Sequence, residues 1–124
     1  MKRFTAKTIQ ALRNGQILGI RAGTGAHRII GIWMVVVENR LFVRSWSVKP
    51  DGWFRTFERE PRGIITVDGG REIPVRAVIT RSERLKDAVS RAYLDKYSTP
   101  GALKYSRDLA RAKSRATTTE LIPR

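Results

Sequence analysis

The chain has 124 residues, 41% of them hydrophobic, which predicts a single globular domain over residues 1–124. Its formal net charge of +14 favours anionic partners such as phosphorylated ligands, nucleic acid or acidic metabolites. The chain has no cysteine and one histidine, which excludes disulfides, thiolate metal sites and a histidine metal cluster.

The longest apolar run, residues 29–37, is too short to cross a membrane as a helix, since a spanning helix needs roughly 20 residues. The basic N-terminus is not followed by an apolar signal core with a cleavage site. We therefore expect a cytoplasmic protein that does not bind membranes. The sequence also lacks a G-x-S-x-G turn, and we predict neither a catalytic side chain nor a metal ligand.

The first predicted elements are a helix and a strand. Residues 4–15 predict a short helix, because apolar residues recur on one face and Asn14-Gly15 is a natural stop. Residues 16–22 predict a strand, which the glycine-rich segment 23–25 ends.

The next segment predicts a hairpin. Residues 29–37 are apolar on both faces, which predicts a central strand that is covered on both sides. Glu38-Asn39-Arg40 is the predicted tip, because asparagine tolerates a positive φ. Residues 41–46 predict the returning strand, which carries Arg44 next to the core.

Past a turn at Pro50-Asp51-Gly52, three aromatic residues from Trp53 to Phe57 fall at helical spacing and predict a short helix. Residues 63–67 and 71–80 predict two strands joined by a hairpin turn. The second of them contains Pro74, which cannot donate a ladder hydrogen bond, so we expect this strand at a sheet edge or with a bulge.

From residue 82 the sequence predicts helices. Ser82 caps a helix whose apolar residues recur every three or four positions, and Thr99-Pro100 begins a second helix that runs to about Ala112. The tail, residues 115–124, predicts an extended segment that adds an edge strand or docks on a partner subunit. The whole order indicates a mainly β fold with flanking helices (α+β), in which an antiparallel sheet or small barrel carries helices outside it.

Residues 41–55 interleave cations with aromatic rings, which is unusual for a surface turn. Arg44 stands out because a buried guanidinium needs a partner. Two kinds of anion are candidates: a ligand phosphate, or one of the chain's own glutamates (Glu38, Glu58 or Glu60). The sequence does not decide between them.

Four segments together resemble a bacterial family known as domain of unknown function 2255: RAGTGAHRIIGIWMVVVENRLFVRSW, GWFRTFEREPRGIITVDGGREIPVRAV, AYLDKY and the terminal ATTTELIPR. The strand order and the basic, aromatic turn also resemble, more distantly, the FMN-binding split-barrel superfamily, which includes pyridoxamine-phosphate oxidases and deazaflavin-dependent nitroreductases. This resemblance implies an antiparallel split β-barrel that forms a homodimer and holds FMN or a deazaflavin in a groove at the dimer interface.

The resemblance also implies an oxidoreductase in which the hydride chemistry belongs to the cofactor. The implied cofactor-binding residues are cations and hydroxyls for the phosphate and aromatic residues near the ring. At the matching positions of this sequence they are Arg28, Arg44, Ser45, Trp46, Lys49, Trp53 and Arg55.

Two alternatives remain at this point. The high positive charge and the aromatic residues also suit a nucleic-acid-binding module, in which rings stack on bases. No recognition motif of the helix-turn-helix, zinc-finger or RNA-recognition type is visible in the sequence, which favours the cofactor hypothesis. The other alternative is a split barrel without a cofactor that serves as an interaction domain.

Overall fold

The computed structural model describes residues 2–124, in which seven strands and five helices are present. The helices are α1 (Ala6–Asn14), α2 (Trp53–Arg59), α3 (Glu83–Lys96), α4 (Pro100–Leu109) and α5 (Ala112–Arg115). The strands are β1 (Leu18–Ala22), β2 (Ile30–Ile32), β3 (Val35–Val37), β4 (Arg40–Val43), β5 (Arg62–Val67), β6 (Ile73–Ile79) and β7 (Thr119–Pro123). Within this part of the chain no helix combines the length and the apolar character needed to cross a membrane.

All strands belong to one antiparallel sheet with the order β2-β1-β5-β6-β7-β4-β3. The two edge strands, β2 and β3, are consecutive in sequence, and only Trp33-Met34 separates them. The chain itself therefore joins the two edges of the sheet. This connection curls the sheet into a barrel that is split where β2 turns away from the continuation of β4 to pair with β1.

Alternate residues of the strands point into the barrel and form its core, as in the buried-intermediate alternation of β1. Fully buried members of this core come from five strands: Leu18, Ile20, Leu41, Val43, Ile65, Val75 and Leu121. Helix α1 contributes Ile9 and Leu12 to the same core. A second core lies outside the barrel, where α3 packs Leu85, Val89 and Tyr93 against Val35 and Phe42.

The helix caps and the hairpin turn confirm local predictions. The Ser82 hydroxyl accepts the backbone N–H of Leu85, and the Thr99 hydroxyl accepts that of Ala102, so each satisfies a free donor at a helix start. In the β3–β4 turn Glu38 and Asn39 have φ values of 56° and 60°. Two successive left-handed residues make the turn that suits a two-residue hairpin.

The prediction of one central strand over residues 29–37 is wrong. The segment bends at Trp33-Met34 and supplies both edges of the sheet instead. At its start Ile29 and Ile30 are 39% and 42% exposed. An apolar run of this length predicted a covered strand, but the bend that divides it has no proline or charge to mark it.

Two further sheet positions differ from the prediction. Strand β6 lies inside the sheet, between β5 and β7. Its Pro74 points the carbonyl toward the end of β7, where the Arg124 N–H donates to it at 3.0 Å. The missing N–H of Pro74 thus falls where that ladder ends. The C-terminal segment is not an edge strand either, since β7 pairs with β6 on one side and β4 on the other.

Candidate functional site

The split of the barrel opens a groove of about 470 Å³. Strands β3 and β4 are paired from their turn as far as Val35 and Phe42. Beyond this pair, residues 30–32 turn away to pair with β1, whereas residues 44–47 continue toward the loop before α2. The groove lies between these two diverging segments.

All three tryptophans of the chain line this groove, together with Tyr105 of α4. The side chains of Trp46 and Tyr105 are 59% and 46% exposed. Tyr105 stands edge-on to two of the tryptophans, with ring centroids 6.3 Å from both Trp33 and Trp46. Aromatic walls around an open groove suit a flat, largely apolar ligand.

Helix α3 supports Trp33 from behind. The ring of Tyr97 stacks on the indole of Trp33 at a centroid distance of 4.1 Å and an interplanar angle of 2°. The Tyr97 hydroxyl accepts the Met34 N–H at 3.1 Å and donates toward Gln16 O at 2.8 Å. Burial raises the pKa of Tyr97 to about 12. This hydroxyl therefore stays protonated and holds the bend between β2 and β3.

Lys96 secures the same bend. Its Nζ donates to the carbonyls of Leu12 and Met34, both at 3.1 Å, so it links the end of α1 to the bend. Burial lowers the pKa of Lys96 to about 8. The bend thus receives side-chain hydrogen bonds from α3 in place of strand partners.

Tyr93 bridges the two diverging segments. Its hydroxyl accepts the Arg44 N–H at 3.1 Å and donates to Trp33 O at 3.3 Å. The residue is fully buried, and burial raises its pKa well above the ordinary value. A neutral hydroxyl can serve both strands because it is a donor and an acceptor at once.

The side chain of Arg44 is bound by neutral groups inside the protein. Its Nε donates to Thr118 Oγ1 at 2.8 Å, Nη1 donates to Ser90 Oγ at 2.7 Å and Leu109 O at 2.8 Å, and Nη2 donates to Lys86 O at 2.7 Å. Only 3% of the residue is exposed, and burial lowers the pKa of Arg44 to about 10. The alternative of an internal glutamate partner is wrong.

The three candidate glutamates have other partners. Glu38 pairs with Arg84 and Arg40, Glu58 pairs with Arg55, and Glu60 pairs with Arg62. Because four of its five N–H groups meet internal oxygens, the Arg44 guanidinium ties α3 and α4 to the segment before β7. This geometry argues against Arg44 as a phosphate-binding cation.

The structure brings five of the seven predicted site residues to the groove: Arg44, Ser45, Trp46, Lys49 and Trp53. Ser45 is buried, its N–H donates to Thr117 Oγ1 at 2.8 Å and its hydroxyl donates to Ser47 O. Lys49 is exposed on the rim. Neither of the two cationic residues lining the groove has an ion pair within residues 2–124, but the Arg44 guanidinium is bound to internal oxygens, whereas Lys49 is exposed.

Two predicted residues lie outside the groove. Arg28 is exposed in the loop between β1 and β2, and Arg55 is exposed on α2, where it pairs with Glu58 at 2.6 Å. Sequence reasoning also missed the wall formed by Trp33, which lies within the segment predicted as a covered central strand. Gly31, two residues before Trp33, was the available signal, because it interrupts the apolar run next to the bend.

The family described as uncharacterized proteins conserved in bacteria (DUF2255) matches residues 6–121. The chain belongs to this family. The resemblance to this family that the sequence indicated is therefore confirmed, and it covers nearly the whole chain. No curated protein matches the chain in sequence.

Two solved structures are similar to this family member. The conserved hypothetical protein Rv2991 of Mycobacterium tuberculosis is 12% identical and has a TM-score of 0.62, over 98% of this chain and 83% of the other. A pyridoxamine 5′-phosphate oxidase-like protein of Listeria innocua is 14% identical with a TM-score of 0.62, over 94% and 90% of the two chains. These likenesses show the fold, and the predicted antiparallel split β-barrel with flanking helices is confirmed.

Proposed function

We propose that the chain binds a flat, phosphorylated aromatic cofactor of the FMN or deazaflavin type in the groove at the split. The observation that carries this proposal is that all three tryptophans and Tyr105 gather around one open groove with Lys49 on its rim. The split-barrel fold is also the one that the sequence resemblance associates with FMN. An aromatic ring system of this kind needs flat apolar walls with a few polar groups at the edges.

The groove fits the ring of such a cofactor better than its phosphate. Aromatic walls are present, but a phosphate dianion favours several charge-assisted donors. Within residues 2–124, Lys49 is the groove cation left for this task, since Arg44 is committed to internal oxygens and Arg55 to Glu58. A second source of positive charge is therefore part of the proposal.

A second copy of the chain would supply what one protomer lacks. Three exposed isoleucines lie on or near β2: Ile17, which lines the groove, and Ile29 and Ile30 at the start of the strand are 51%, 39% and 42% exposed. Such a cluster favours contact with another protein surface. In the proposed homodimer this surface is covered, and Arg28, which lies next to Ile29 in sequence, is a candidate to reach the partner's groove.

Hydride transfer is the chemistry that the cofactor would supply when bound, and the proposed activity is that of an oxidoreductase. The residues of this chain would hold the ring between aromatic walls and shield it from water. Lys49 would compensate negative charge at the rim. No side chain of the groove needs to act as a proton donor or acceptor in this role.

The test combines an absorbance and mass spectrum of the native protein with a titration of FMN followed by tryptophan fluorescence. We expect Trp46→Ala and Lys49→Ala each to weaken binding by about tenfold, because the first removes a stacking wall and the second the rim charge. Lys7→Ala, at an exposed lysine of α1 far in sequence from the groove, is the matched control and leaves binding unchanged.

The proposal is wrong if the wild type binds neither FMN, FAD nor a deazaflavin at high micromolar concentration. Nucleic-acid binding is the second candidate, and the exposed pair Trp46 and Tyr105 favours it because rings of this kind stack on bases. It has a different signature: retention on single-stranded DNA that falls steeply with added salt.

A further inference from the structure

The β3–β4 hairpin has a register that determines where its next backbone hydrogen bonds would form. Val37 and Arg40 flank the two-residue turn and are paired. In such a hairpin this pair exchanges both backbone hydrogen bonds, and every second pair after it does the same. Val35 and Phe42 are the second pair of this kind, and they are also the last pair of the ladder.

In an antiparallel pair the residue number falls by one on the first strand for each residue gained on the second, so the third pair of this kind would be Trp33 and Arg44. In a continued ladder the Arg44 N–H would donate directly to Trp33 O. These two groups instead both bond to the Tyr93 hydroxyl, at 3.1 Å and 3.3 Å. The hydroxyl oxygen therefore stands in the place of one interstrand hydrogen bond.

We propose that Tyr93 is a positioning residue whose hydroxyl wedges the Trp33–Arg44 pair apart and thereby sets the width of the groove. The ring of Tyr93 is fully buried in the second core, so the hydroxyl has a fixed position. Both chain segments that it separates carry groove walls, namely Trp33 on one side and Ser45-Trp46 on the other. That the groove binds a ligand rests on the proposed function, whereas the wedge itself does not.

Tyr97 shows what a tyrosine without this role looks like. It lies about one turn further on, directly after the end of α3, and its hydroxyl is likewise bonded to backbone groups, those of Met34 and Gln16. None of these partners belongs to the segment that continues β4. Loss of the Tyr97 hydroxyl removes buried hydrogen bonds but does not join the two sides of the split.

The experiment compares the wild type with Tyr93→Phe and with Tyr97→Phe as the matched control. In protein labelled with ¹⁵N and ¹³C, a scalar coupling through a hydrogen bond reports whether Arg44 N–H donates directly to Trp33 C=O. We expect no such coupling in the wild type or in Tyr97→Phe, and we expect it to appear in Tyr93→Phe as the pair closes. A direct coupling in the wild type overturns the proposal, even where Tyr93→Phe does not fold.

Ligand affinity provides the second readout. FMN binding to Tyr93→Phe requires the closed pair to reopen, and the loss of one backbone hydrogen bond corresponds to about a tenfold weaker affinity. Lys7→Ala, the control at an exposed residue of α1, keeps the affinity within about twofold of the wild type. If the wild type binds no FMN, the proposed function fails while the coupling still tests the wedge. If Tyr93→Phe folds, shows no coupling and binds FMN like the wild type, the wedge is wrong.

Discussion

The two halves of one strand pair behave differently. Near the turn, β3 and β4 bond to each other through their backbones, and the helix α3 covers their outer face. Past Val35 and Phe42 the same two chain segments bond to side chains instead, mainly those of Tyr93, Tyr97 and Lys96. The closed half contributes stability, and the open half presents aromatic rings to a groove.

The difference shows how a split can be built without unsatisfied backbone groups. A strand that leaves its partner loses ladder hydrogen bonds, and buried groups without partners are costly. Hydroxyl groups replace these backbone hydrogen bonds along the segment that continues β4. The Tyr93 hydroxyl accepts the Arg44 N–H. The Thr117 hydroxyl accepts the Ser45 N–H, and the Ser114 hydroxyl donates to Ser45 O. No buried side-chain nitrogen or oxygen in residues 2–124 lacks a hydrogen-bond partner.

The largest predicted effect compares an aromatic residue from each half. Phe42→Ala opens a cavity under α3 and lowers the free energy of unfolding by about 3–5 kcal/mol. Trp46→Ala, at a residue that is 59% exposed, changes it by less than about 0.5 kcal/mol. Urea unfolding followed by circular dichroism measures both. Equal losses would contradict the division into a structural half and a binding half.

The second prediction concerns Arg44, at the junction of the two halves. Arg44→Ala leaves buried acceptors on α3, on α4 and in the segment before β7 without their donor and destabilises the fold by about 3 kcal/mol. Arg44→Lys keeps the charge but not the planar fork, and recovers less than half of the loss. The control is Arg28→Ala, at an exposed residue, with a change below about 0.5 kcal/mol. A stable Arg44→Ala that loses only ligand affinity would restore Arg44 as a ligand residue.

The third prediction is a pH dependence that originates in the bend. Burial lowers the pKa of Lys96 from 10.5 to about 8, so between these values the unfolded chain binds more protons than the folded chain. Stability therefore increases as the pH rises through this window, by on the order of 1–2 kcal/mol at pH 9.5 relative to pH 7. Above pH 10 the raised pKa values of Tyr93 and Tyr97 act in the opposite direction.

Lys96→Met isolates this effect because it removes the titrating group and keeps a chain of similar length. Urea unfolding of both proteins at pH 7 and pH 9.5 gives the difference. We expect the increase in the wild type and none in the variant. The same increase in both proteins would assign the pH dependence to other groups.

The smallest predicted effect is at Arg55, whose side chain is 46% exposed and paired with Glu58 three residues later. Arg55→Ala lowers the free energy of unfolding by less than about 0.5 kcal/mol, since exposed pairs of this kind contribute little. We also expect an unchanged FMN affinity, because Arg55 lies outside the groove. A clear loss of affinity would return Arg55 to the cofactor site.

Local chemistry in the sequence was sufficient for most of the fold. Ser82 and Thr99-Pro100 each identify a helix start through interactions within a few residues, and both predictions are confirmed. The hairpin tip predicted at Glu38-Asn39-Arg40 is confirmed for Glu38 and Asn39, whereas Arg40 already belongs to β4. The position of β7 was not predictable in this way. Its neighbours β6 and β4 lie about 40 and 80 residues earlier in the chain, and no local pattern specifies such pairings.

The candidate site was predictable only in part, for the same reason. Trp46, Lys49 and Trp53 lie close together in sequence, so their interleaving with cations is visible. The partners of Arg44 lie 42 to 74 residues away. They are neutral hydroxyl and carbonyl groups, which leave no charge pattern in the sequence. The expected anion was therefore inferred from the cost of burying a charge, which neutral oxygens also reduce.

The central claim, that the groove at the split is the ligand site, is tested most directly by the indole N–H signals of ¹⁵N-labelled protein during a titration with FMN. All three tryptophans line the groove, so each of the chain's three indole signals is a probe of it. We predict that all three shift, while backbone signals of the hairpin turn at Asp68-Gly69 do not. Unchanged indole signals at saturating FMN, or shifts confined to another surface, would contradict the account.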